Sequence, residues 1–239
     1  MVVFGRVVVG CLAALSAAAA PGTAIGGLSE VGRPVGTPLA RLPILRVLDA
    51  KPRGAEDAAQ PPSGGDKAPA PESHSPEQAR RQKLDDLFTR LAASTDVDET
   101  NGLVFAIDRL QLQSGSNTGD YLMARAVAAM EARNLETSLA LLDKIIILQP
   151  DWAEAWNKRA TARYLAGDDQ GSMTDIAHVL VLEPRHFGAL SGMGMILERR
   201  GFRDDALRAY QHALDVAPQL PTLRASVDRL KAAVAGQGL

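Results

Sequence analysis

Pro150, Pro184 and Pro218 stand 34 residues apart, and the same interval recurs in the apolar columns upstream of them. Leu122, Trp156 and Leu190 align, as do Ala126, Ala160 and Gly194. Ser138, Ser172 and Ala206 follow, then Leu142, Ile176 and Tyr210. Ile145, Val179 and Ala213 form a further column, and Leu148, Leu182 and Val216 another. Small residues meet small ones and large meet large. A repeat of this length is one supersecondary unit that cannot bury its apolar face alone, so the chain must fold as a stack of neighbouring units.

Each column has a packing reason. Trp156 and Ala160, four residues apart, share one face of a helix. The small residues there and at Ser172 let a second helix approach, and Ile176, Val179 and Leu182 make that helix's inward stripe. Gly167 and Asp168 break the chain between the two helices, as do Gly201 and Phe202-Arg203-Asp204 one unit later. Each proline ends a second helix at the residue before it and opens the next unit.

These residues resemble the tetratricopeptide repeat family. Residues 187–218 match most fully, with Leu190, Gly194, Leu197, Gly201, Ala206, Tyr210, Ala213 and Pro218 in the family's pattern. The unit at 153–184 departs at Arg159 and Arg163, where apolar residues are usual, and the unit at 119–150 has Arg133 and Asn134 at its turn. The resemblance implies an all-α fold, a right-handed superhelical solenoid of helix-turn-helix repeats with capping helices. It also implies a scaffold for protein partners. More narrowly, residues 122–161 and 183–198 are similar to small secreted repeat proteins of alphaproteobacteria, which implies a periplasmic place and an envelope-related role.

The flanks read as caps. Ser75-Pro76-Glu77 is a helix start, followed by the apolar stripe Leu84, Leu87, Phe88 and Leu91. A second helix from about 97 to 113 carries Val104, Ile107 and Leu110. Residues 76–117 are thus expected to form a degenerate helical pair covering the first repeat. Repeats at 118–218 follow, and the segment 219–239 supplies a capping helix on Leu223, Val227 and Leu230, then a tail.

Upstream, residues 1–24 carry Arg6, a short apolar stretch from Val7 to Leu15, then Ser16 and four alanines. That pattern is expected to be a secretory signal peptide cut after Ala24, which would place the protein in the periplasm. An uncleaved anchor, or a lipid on Cys11, would instead make it a membrane-tethered assembly factor of envelope complexes. Residues 25–75 hold eight of the fourteen prolines and read as a disordered linker. Its one apolar run, residues 38–48, is either a weak patch or a short docking segment for a partner or for the chain's own groove.

The chain's net charge is −2, with no basic run, which argues against nucleic acid. The single cysteine, Cys11, lies inside the proposed signal, so a mature chain has no thiol nucleophile. No nucleophile–base set, phosphate loop or metal-ligand spacing is recognisable, so neither catalysis nor a cofactor nor a small-molecule substrate is expected. His178 and His212, one repeat apart, stand too far from each other to share a metal.

The first helix of each repeat should line a concave face. Helical spacing puts Met123, Val127 and Met130 on it in the first unit, Asn157, Thr161 and Tyr164 in the second, and Ser191, Met195, Glu198 and Arg199 in the third. Methionine, tyrosine and one charged pair suit the docking of a peptide or helix from an envelope protein. The lysine–asparagine clamp that some family members use for a C-terminal carboxylate is absent, because Met123, Val127 and Gly188 occupy its positions and leave Lys158 alone. Trp156 is expected in the packed interior.

Overall fold

A computed structural model describes residues 75–235, all of them helical or in short connections. The proposed signal at 1–24, the linker up to residue 74 with its apolar run 38–48, and the last four residues lie outside the described residues. Nine helices follow in order: α1 (Pro76–Ala93), α2 (Val97–Gln111), α3 (Asn117–Glu131), α4 (Leu135–Leu148), α5 (Ala153–Leu165), α6 (Asp169–Leu182), α7 (Phe187–Arg199), α8 (Arg203–Val216) and α9 (Pro221–Ala235).

The helix starts are built from side chains that satisfy orphan N–H groups. Ser75 and Gln78 form a capping box: Ser75 Oγ accepts from the Gln78 N–H at 3.2 Å, and Gln78 Oε1 accepts from the Ser75 N–H at 2.8 Å. Asp96, Ser116, Asn134 and Asp168 cap α2, α3, α4 and α6 in the ordinary way. Between the helices of the second and third repeats the chain turns through Gly167 and Gly201 at φ of 83° and 84°. The equivalent place in the first repeat holds Arg133 at φ 60°, a left-handed conformation that costs a side-chain-bearing residue energy glycine does not spend.

Within each repeat the two helices pack as an antiparallel pair, and successive pairs stack α3–α4, α5–α6, α7–α8, with α9 closing the far end. The small-residue columns explain the close approach. Ser138 Oγ donates to the Ala126 carbonyl at 2.9 Å and Ser172 Oγ to the Ala160 carbonyl at 2.8 Å, so each buried hydroxyl ties a second helix to the first. Alanine fills the same column at Ala206, where Gly194 lets the Tyr210 ring lie directly on α7.

Two apolar cores result. One joins Met123, Ala126, Met130, Leu142 and Ile145 of the first repeat to Trp152, Ala155 and Ala162. The other runs through the second and third repeats to Leu223, Val227 and Leu230 of α9. Trp156 is half-buried, not interior, and packs against both cores. Its ring stacks on His178 at 4.2 Å between centroids, Arg159 lies over it at 4.8 Å, and Nε1 donates to the Pro150 carbonyl at 2.8 Å.

The N-terminal pair departs from expectation. Phe88, Leu91, Leu103, Val104 and Ile107 of α1 and α2 belong to the core of the second and third repeats, and α1 lies against α8. Arg185, between α6 and α7, pairs with Asp85 at 2.7 Å and covers the Phe88 ring at 4.6 Å. The pair therefore does not sit over the first repeat as one more stacked unit. It crosses the connections between repeats, because its apolar stripe is completed there.

Candidate partner-binding groove

The ten residues expected on the concave face divide into three groups. Met123 and Met130 are only 2% and 4% exposed, so they are core and not groove. The first helix of one repeat is in contact with that of the next, and the flat alanines Ala155 and Ala162 of α5 share a core with both methionines. Val127, Asn157, Thr161, Tyr164, Ser191, Met195 and Glu198 are half-buried, and Arg199 is exposed.

One shallow depression of about 10 Å³ brings part of this set together. Asn157, Thr161 and Tyr164 on α5 face Gly188, Ala189, Gly192 and Ile196 on α7 across a shallow cleft floored by Ala160, Ser172 and Ile176. The sequence marks Gly188 only as an empty clamp position and gives Gly192 no place on the face, because a residue without a side chain leaves no signal beyond its own smallness. At one end Arg199 lies over the Tyr164 ring at 4.0 Å and pairs with Asp169, which holds the phenol in place. Ser191 and Met195 are not among the residues lining this crevice, and Glu198 turns away to Arg229 of α9 and the Tyr210 hydroxyl. The Arg229 guanidinium holds the Glu198 carboxyl below its ordinary range against the opposing effect of burial.

At the other end the crevice face continues to a polar cluster. Glu154 precedes Asn157 by nearly one turn and is 5% exposed. Its carboxylate takes Lys158 Nζ at 2.8 Å, Asn157 Nδ2 at 3.1 Å and His186 Nε2 at 3.0 Å. The Ala189 N–H donates to His186 Nδ1 at 3.1 Å, so His186 caps α7 with one ring nitrogen and donates to Glu154 through the other. Burial alone would raise Glu154; Lys158 and then His186 outweigh it and hold the carboxyl at about 2. Asp108 of α2 sits beside the same cluster. There, burial and the Glu154 charge push it up to about 6, with Lys158 and His186 pulling the other way. Helical spacing alone could have added Glu154 to the face, but not Asp108, whose place depends on the crossing of the N-terminal pair.

A second polar cluster is structural. Asp175, fully buried, takes Arg159 Nε and Nη2 at 3.0 and 2.8 Å and Arg163 Nη1 at 2.9 Å. Arg159 Nη1 also reaches Asp143 of the first repeat at 2.7 Å. These contacts account for the arginines that depart from the repeat pattern. Among the described residues, no group of three or more His, Cys, Asp or Glu could hold a metal ion, and no helix is long and apolar enough to cross a membrane.

No family model matches the chain. A TPR repeat-containing protein of Rhizobium etli is 36% identical over 197 residues, covering 82% of this chain and 93% of that protein. Tetratricopeptide repeat protein 36 of Bos taurus is 37% identical over 125 residues, which is 51% of this chain and 62% of the relative. Among solved structures, the Sgt2 TPR domain from Aspergillus fumigatus covers 52% of this chain and 83% of its own at 17% identity, with a TM-score of 0.48. The 34-residue recurrence, its rendering as paired helices and a relative similar across nearly its whole length lead to one conclusion: this chain belongs to the tetratricopeptide repeat family.

Proposed function

We propose that the protein is an exported interaction scaffold, an adaptor or chaperone-like factor of the bacterial cell envelope that holds a protein or peptide segment in the crevice between α5 and α7. Tetratricopeptide repeat proteins mediate protein–protein interactions, and the binding role follows from membership. One observation carries the choice of site. The seam between α3 and α5 is filled by Met123 and Met130, whereas the matching seam between α5 and α7 has Asn157 and Tyr164 opposite two glycines and stays partly open. A half-exposed tyrosine braced by an arginine is a ready anchor for a partner side chain. The export reading is supported by the short apolar stretch and small residues at 1–24.

A photo-crosslinking amino acid at Thr161, placed in living cells, tests the site. A discrete protein adduct should form, Tyr164→Ala should remove it, and the variant should melt at the parent temperature. An adduct that survives Tyr164→Ala, or that forms equally from exposed Thr174 on α6, would remove the crevice from consideration. Mass spectrometry of the N-terminus tests export: a start near Ile25 agrees with it, while an intact Met1 or an acylated Cys11 would favour the membrane-tethered reading.

A further inference from the structure

The N-terminal pair contacts the solenoid in an unusual way for a cap. Ile107 and Leu91 are fully buried and Phe88 is 2% exposed, so the apolar contact is real. The polar contacts beside it are weaker in kind. Asp85–Arg185 is largely exposed, and exposed pairs contribute little. Trp152 Nε1 donates to the Gln111 carbonyl at 2.7 Å, at the last residue of α2. Asp108 brings a second carboxylate to the Glu154 cluster, where one lysine and one histidine already serve the first. From the pair, the chain continues to α3 through residues 112–116, which are anchored on the first repeat: Leu112 packs against its core, and Ser114 N–H and Oγ both donate to Asp120 Oδ1 at 2.7 Å.

The cluster under α2 is also the near end of the groove. Glu154, Asn157, Thr161 and Tyr164 lie along one face of α5, with α2 seated at the first and the crevice beginning at the second. We propose that the α1–α2 pair, seated across the connections between repeats, is a strap that closes the near end of the groove and lifts about the 112–116 linker to admit a partner segment. This rests on the groove reading for where the partner lies, but the strap's motion can be measured with no partner present.

The charge arrangement gives the hold a direction with pH. Asp108 is raised from 3.8 to about 6 when seated, so the seated state favours its protonated form. The stabilisation is complete below about 3.8 and is lost as pH rises through about 6. Facing Asp108 are Glu154 and Lys158 from α5 and His186 from the start of α7. Glu154, held at about 2, stays ionised throughout this window. Between pH 5 and pH 8 the opening equilibrium should therefore rise about tenfold.

Hydrogen exchange of the full chain, corrected for intrinsic rates, tests the strap. The amides of α1 and α2 should exchange through an opening separate from that of α5 to α8, and this opening should be about tenfold more frequent at pH 8 than at pH 5. Asp108→Asn should abolish the pH dependence and keep the pair closed at pH 8. A fluorescein-labelled peptide of residues 96–113 carrying Asp108→Asn serves as the competing segment. It should bind the full chain about tenfold more tightly at pH 8 than at pH 5, because the internal copy then holds less well. Equal protection of α1–α2 and α5–α8 at both pH values, an unchanged pH profile in Asp108→Asn, or no peptide binding at pH 8 would overturn the proposal. None of these results would alter a Tyr164-dependent adduct at Thr161.

Discussion

The second and third repeats fill the same three packing positions with opposite chemistry. In the second these are Arg159, Arg163 and Asp175, two half-buried arginines around one fully buried aspartate; one repeat later they are Met193, Leu197 and Ala209, all fully buried. Helix lengths do not differ, since α5 and α7 have 13 residues each and α6 and α8 have 14 each. The repeat therefore specifies the space to be filled and not what fills it. The apolar trio tolerates loss by degrees, whereas the triad depends on every member, because a buried charge without its partner is far more costly than a small void.

The largest test of that contrast is Asp175→Ala. It leaves two half-buried arginines without their shared carboxylate, Arg159 keeping Asp143 and Arg163 the Gly171 carbonyl, and should cost about 2–4 kcal/mol in denaturant unfolding. A loss below about 1 kcal/mol would mean that both guanidiniums swing to water. Replacing all three residues with those of the third repeat, by Arg159→Met, Arg163→Leu and Asp175→Ala, should be neutral or stabilise by about 1–4 kcal/mol. If the triple variant is instead less stable, the reach of Arg159 to Asp143 and its place over Trp156 contribute something an apolar trio cannot supply.

On the other side of the comparison, Gly194→Ala would bring a methyl group to 2.7 Å from the Tyr210 ring and should cost about 1–3 kcal/mol. Tyr210→Leu should recover part of that loss in the double variant, read from thermal melts. The smallest effect belongs to the first repeat. Arg133→Gly relieves a left-handed arginine where the other repeats have glycine, and should stabilise by about 0.5–1 kcal/mol in the same melts.

The columns made the architecture readable before any coordinates, because Ala126, Ala160 and Gly194 or Ser138 and Ser172 can recur only where helices approach closely. The family's shape follows from that recurrence. Placing the groove was harder. Spacing along one helix fixes an angle but not what stands opposite, so it puts Met123 and Met130 on the open face although the next repeat covers them. The odd arginines were visible as departures, yet Asp175 as their shared partner lies on another helix. The crossing of α1 and α2 onto the later repeats depends on contacts one hundred residues apart, such as Asp85 with Arg185, and no local pattern encodes that distance.

The two tryptophans give the molecule a partial optical view of itself. Trp152 and Trp156 are its entire indole content; both stand where the second repeat begins, Trp152 donating to the Gln111 carbonyl of α2 and Trp156 to the Pro150 carbonyl at the end of the first repeat. Emission from them reports on that junction and on the seating of α2, while α7 to α9 remain dark. A solenoid whose units come apart one after another would thus show different midpoints by fluorescence and by far-ultraviolet dichroism. Coincident midpoints would mean that the stack, ionic and apolar halves together, melts as one body.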